Sequence, residues 1–360
     1  MLTQHVLSPL LQSAELLQIP QQVRFGQRNF VLSGITPAAK PAYLAILQRL
    51  LNQPILYIGS DNQRLEELKR TTGFFHSMIS NREEEALATF PSLEPGPYSG
   101  LSPHAEIQEQ RALTLWRLFQ GQLDILFCPP AALLMKMPDV RTIFSQVPEL
   151  TVGLERPPEE LVQYLVKSGY LREEPVTSVG AYSMRGGILD IFPPNSENPI
   201  RVEFFGDEIE SLREFSVKSQ RSIGPIQKCA VPPMREMPLD ESQLRDWSEL
   251  AEIDLDPSEY GEFLANQVVR ARNGEPFPGC EFLLPLSISF DKTLLDFVDN
   301  FLIVVDEPAD FSRWFGSWSA RNQQGFADQR ALGVPATSPD QLFLKIDEFN
   351  QQLQQRRVAF

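Results

Sequence analysis

Four short apolar runs constrain this chain most. They are NFVLSGI (29–35), PILYIG (54–59), LDILFC (123–128) and LIVVDE (302–307). Each has the length of a strand rather than a helix and ends in turn or acidic residues. The first three lead into segments of helical character: AYLAILQRL (42–50), DNQRLEELKR (61–70) and PPAALL (129–134). Strand and helix alternating at this spacing predict a mostly parallel sheet with helices on both faces. A longer helix is predicted within 102–119, with Ala112, Leu115, Trp116 and Phe119 on one core-facing stripe.

The turn after the first run bears on chemistry. Residues 34–41 read GITPAAKP. A phosphate-binding loop needs Gly, four residues, Gly, Lys, then Ser or Thr. Gly34 and Lys40 stand in their places, but Ala39 replaces the second glycine and Pro41 replaces the hydroxyl residue. A Cβ at 39 crowds the backbone nest, and proline offers neither an N–H nor a metal-binding oxygen. LIVVDE ends in Asp306 and Glu307, the pair many NTPases use to hold magnesium and orient water. The same residues also suit a buried strand that emerges into an acidic loop. The site reads as a spoiled nucleotide site, with no cofactor expected in this chain.

Composition narrows the partners. Lys plus Arg number 32 against 47 Asp plus Glu, a net charge of -15, which on average repels phosphate backbones. Cys128, Cys229 and Cys280 are far apart, and so are His5, His76 and His104, which argues against disulfides and a His/Cys metal site. No run approaches the ~20 apolar residues of a membrane span, and no signal peptide opens the chain. A cytoplasmic protein without membrane contact is expected.

A second kind of pattern starts near residue 157. PPEELVQYLVKSGY has helical spacing through Leu161, Tyr164 and Leu165. A ribbon follows, AYSMRGGILDIFPPNSENPIRVEFFGDEIESLREF (181–215). GILDIF, IRVEFF and IESLREF read as strands of a small antiparallel sheet backed by that helix. Gly186 and Gly187 permit a bulge or a close backbone approach, with Arg185 just before a strand. In IRVEFF, Ile200, Val202 and Phe204 share a core face, while Arg201, Glu203 and Phe205 share the other. Arginine beside an aromatic ring is the composition of an interface centre. In the competing reading, Arg201 merely pairs with Glu203 or Glu210 and Phe205 is covered by the neighbouring α/β domain. The carboxylates of the ribbon read as surface charge, and no nucleophile–base pair is visible.

Residues 178–222 closely resemble the UvrB-homology module at the N-terminus of the bacterial transcription-repair coupling factor family, Mfd. The likeness rests on MRGGILDIFP, the R-x-x-x-F-x-D-E-I ribbon and the following QRS turn, and extends loosely over about 25–345. It implies a degenerate P-loop motor-type α/β domain in two parts, 1–148 and 234–345, around an inserted UvrA-binding-like α+β domain, 149–233. Residues 346–360 would start a linker or mark a cut. The resemblance implies no catalysis in this module. ATP and magnesium would serve a motor C-terminal to it, and RNA polymerase and DNA would be met by regions outside it. UvrA would be met through Arg185, Arg201 and Phe205, with Glu203 and Asp207 as further candidates. The run Phe90–His104 is too short and proline-rich to act as UvrB's damage-reading hairpin.

Two other functions compete with UvrA recruitment. One is a divergent ATPase built on Lys40, Asp306 and Glu307. The other is an autoinhibitory module that docks on other domains of its own chain. Toward the C-terminus, 235–257 reads as a helix-bearing connection and 263–286 as helix and turn. Trp314 and Trp318, one helical turn apart, predict a helix packed on the core.

Overall fold

The structure, a computed structural model, describes residues 29–31, 33–80, 86–237, 240–254, 262–356 and 358–359. His5 and the rest of the first 28 positions lie outside the described residues. The chain forms two compact units.

One unit comprises the described residues up to Tyr98, then Gln120–Pro138 and the chain from Ser289 onward. With strands numbered in chain order, its sheet contains β1 (Asn29–Phe30), β2 (Ile55–Ile58), β3 (Leu87–Thr89), β4 (Ile125–Cys128), β13 (Leu302–Val305) and β14 (Val358–Ala359). The order is β1-β14-β13-β2-β4-β3, and every pairing is parallel. The central strands β2, β4 and β13 are buried along their whole length, as a covered parallel sheet requires. Leu44 and Leu47 of helix Lys40–Leu51 and Leu65 of helix Asn62–Ser80 pack against Ile55, Tyr57 and Phe127. The first strand is shorter than NFVLSGI suggests, because Val31 is already exposed and the chain turns at Gly34. Helix Pro308–Ala331 forms as predicted but fully buries none of its residues. Trp314 and Trp318 instead stack half-buried with ring centres 5.1 Å apart.

The other unit comprises Ser99–Phe119 and Asp139–Ile288. Its main sheet contains β6 (Leu171–Arg172), β7 (Ala181–Arg185), β8 (Ile188–Ile191), β9 (Ile200–Phe205), β10 (Glu208–Phe215) and β11 (Ser222–Ile226). The order is β11-β10-β9-β8-β7-β6, antiparallel throughout except between β6 and β7. A second, two-stranded sheet pairs β5 (Glu149–Thr151) with β12 (Lys228–Ala230). Helix Pro158–Lys167 backs the main sheet through Leu161 and Leu165, which meet Leu189, Ile200, Val202 and Leu212. Helices Glu241–Asp254 and Glu262–Arg272 enclose a separate core around Trp247 and Phe277. Residues up to 288 thus group with this unit, whereas the resemblance implies a returning part from 234 onward. Ala112 and Leu115 are buried as expected, while Trp116 and Phe119 are half-covered.

None of the three cysteines is in a disulfide, and burial raises the thiol pKa of Cys229 and Cys280 to about 12. Among the described residues, no helix is long and apolar enough to cross a membrane.

Candidate functional site

The ribbon is built from two tight hairpins. Arg185 and Ile188 face each other across Gly186-Gly187, so this glycine pair is a turn rather than a bulge, and Arg185 ends a strand rather than preceding one. Gly186 lies at φ +59°, where glycine alone carries no steric penalty. A Cβ on Gly187 would come within 3.0 Å of the Phe204 carbonyl oxygen, so the turn passes close beneath β9. The second hairpin closes through Gly206-Asp207, with Phe205 opposite Glu208. The Arg156 amide donates to the Asp207 carbonyl at 2.7 Å and pins this turn.

Register places the charges. Ser183, Asp190, Arg201 and Arg213 form one cross-strand row over β7 to β10, and Arg185, Ile188, Glu203 and Ser211 form the next. Ile200 and Val202 are buried on the opposite face, as alternation predicts. Arg201 donates from Nε to Asp190 Oδ1 at 2.7 Å and from Nη2 to Oδ2 at 2.8 Å. Arg185 donates from Nη2 to the same Oδ2 at 2.9 Å. The Arg201 guanidinium also lies 4.8 Å from the centre of the Phe215 ring. Its hydrogen bonds to Asp190 raise its pKa further above the ordinary arginine range.

These contacts revise the expected pairing. Arg201 is held by Asp190 rather than by Glu203 or Glu210. Glu203 accepts from Arg213 Nη2 at 2.9 Å and from Ser211 Oγ at 2.6 Å. Asp190 is not surface charge, since its side chain is only 1% exposed. The legible signal was a carboxylate inside the apolar strand GILDIF, in alternation with its buried neighbours. Phe205 is 78% exposed at the end of β9, and the Asp207 side chain beside it is exposed too. Arg185 is 47% and Arg201 19% exposed, so one guanidinium stands out and the other is largely sunk. Arg185 Nη1 also lies 3.7 Å from Glu174 Oε1, so the exposed guanidinium is paired on both sides while Arg201 is held by Asp190.

The spoiled phosphate loop borders a cavity of about 590 Å³ in the first unit, lined among others by Gly34, Lys40, Tyr57, Asp306 and Glu307. Lys40 is ion-paired with Asp306 and lies 3.5 Å from Glu307. The Ala39 and Lys40 amides both donate to the Thr36 carbonyl, at 2.9 and 3.2 Å. Pro41 follows in the first turn of the helix and has no N–H to offer. Two of the loop amides and the lysine are therefore engaged within the protein. Burial first, and then the adjacent Asp306 charge, push the Tyr57 phenol far above its ordinary range.

A family model described as the UvrB interaction domain matches residues 149–237, the segment that carries the ribbon. The chain is similar to the transcription-repair-coupling factor of Myxococcus xanthus, 28% identical over 349 residues, covering 95% of this chain and 29% of the relative. The Escherichia coli K12 factor is 28% identical over 93% of this chain and 29% of the relative. The Haemophilus influenzae factor is 26% identical over 92% and 28% respectively. The chain thus spans less than a third of the length of these relatives. A UvrB interaction domain thus lies within the second compact unit, and over more than nine-tenths of its length the chain is similar to part of the transcription-repair-coupling factors.

Proposed function

We propose that this chain is a non-catalytic recruitment module that docks UvrA through Arg185, Arg201 and Phe205. In the complete protein it would bring excision repair to a stalled RNA polymerase, with polymerase and DNA engaged by regions outside this chain. The observation that carries the reading is a highly exposed Phe205 on the strand that also bears Arg201, with Arg201 and Arg185 anchored on one buried carboxylate. An exposed aromatic and preorganised guanidiniums on one sheet are what an interface centre needs. The test is calorimetric titration of the chain with purified UvrA, beside an Arg185→Ala/Arg201→Ala/Phe205→Ala variant of verified fold. Saturable binding is expected for the parent and loss of it for the triple variant. Equal binding by both would move the contact elsewhere on the module.

The absence of catalysis is supported by the Lys40 ion pair and by the amides closed onto Thr36. A phosphoryl-transfer site needs its lysine and its loop amides free for the nucleotide. Magnesium-dependent ATP turnover by the chain should not exceed that of a Lys40→Ala variant. Turnover that Lys40→Ala removes would establish the divergent ATPase instead.

A further inference from the structure

We propose that Asp190 is the positioning residue of the docking face, and that the face recognises an acidic patch on UvrA by presenting two guanidiniums locked before contact. This rests on the docking reading above. An arginine on an exposed sheet face has many rotamers, and fixing it on binding opposes association. Here the fixing is done in the free protein. Arg201 spends its Nε–H and one Nη2–H on the two oxygens of Asp190, the bidentate arrangement that sets the plane of a guanidinium. Arg185 spends one N–H on the same carboxylate. The N–H groups left over on Arg201 are available to a carboxylate of the partner, and Arg185 Nη1, now 3.7 Å from the exposed Glu174 carboxylate, can exchange that contact for one across the interface. Ion-pair geometry holds best away from water, and Asp190 is almost wholly buried. Glu203, by contrast, accepts its hydrogen bonds from Arg213 and Ser211 rather than from Arg201.

The proposal makes a kinetic prediction that a loss of fold would not produce. Asp190→Asn removes a negative charge from a cluster that must attract acidic groups. Steering toward UvrA should therefore be kept or strengthened, so the association rate should not fall. The arginines lose their anchor, so the complex should dissociate about ten- to a hundredfold faster. Arg201→Lys tests the same geometry without touching Asp190. It keeps every charge but loses the fork, and it too should dissociate faster at an unchanged association rate.

The measurement is surface-immobilised UvrA with the parent, Asp190→Asn, Arg201→Lys and triple-alanine chains as analytes. Faster dissociation of both single variants at parental or higher association rates supports the assignment. If the parent binds and the triple variant does not, but Asp190→Asn and Arg201→Lys dissociate at the parental rate, the docking reading stands and the role of Asp190 is refuted. If Asp190→Asn fails to fold, Asp190→Glu, which keeps the charge but displaces the carboxylate by one methylene, takes its place, and dissociation at the parental rate refutes the role of Asp190. If the parent does not bind, or the triple variant binds equally, both readings fall together.

Discussion

Replacing Arg111 by methionine should destabilise the second compact unit by about 3–5 kcal/mol. Arg111 lies in helix Ala105–Phe119, its side chain is 0% exposed, and its Nε donates to Glu236 Oε2 at 2.8 Å. Glu236 is buried as well. Methionine restores much of the volume but none of the charge, so a carboxylate is left in the interior without its guanidinium. The cost is mainly that stranded charge rather than the net worth of the pair. The companion Arg111→Met/Glu236→Leu variant should therefore recover most of the loss, since an apolar pair of similar volume can match or exceed a buried ion pair. Denaturant unfolding of parent, single and double variants reads the energies. Amide hydrogen exchange locates them: protection should fall in helix Ala105–Phe119 and hold in helix Lys40–Leu51, which belongs to the other unit. A single variant as stable as the parent would show that Glu236 does not depend on the Arg111 guanidinium.

Arg201→Ala should weaken UvrA binding by about 2–5 kcal/mol, the usual cost of truncating one partner of a desolvated charge pair. Two effects combine. The partner loses a guanidinium, and Asp190 loses its bidentate ligand while remaining buried. The second effect acts on the free protein, so Arg201→Ala should also unfold at a lower denaturant concentration than the parent. Phe205→Ala separates the two. Its ring is largely in solvent in the free protein, so its removal should leave the unfolding curve in place while weakening UvrA binding. Calorimetric titration beside urea unfolding of the same preparations checks both. Parental UvrA affinity in Arg201→Ala would remove the ribbon from the interface.

The parallel sheet was readable because β2, β4 and β13 are short and apolar, and the faces of β9 were readable because strand alternation is a local property of the backbone. Strand Ala181–Arg185 was missed because AYSMR carries no clean alternation of its own and becomes a strand by pairing with Ile188–Ile191. The grouping of helices Glu241–Asp254 and Glu262–Arg272 with the ribbon unit was missed for a related reason. Their apolar stripes declare that something covers them but not what.

The candidate sites divide along the same line. That Arg201 and Phe205 share the face opposite Ile200 and Val202 follows from the sequence, as does the loss of a glycine and a hydroxyl from the phosphate loop. That Asp190 is buried between Arg185 and Arg201 depends on which residues the register sets side by side. That Lys40 meets Asp306, 266 positions away, depends on distant strands being gathered into one sheet. Periodicity and residue chemistry are local and survive in the bare sequence. The partner of a charge, and whether water reaches it, are decided only when distant segments pack.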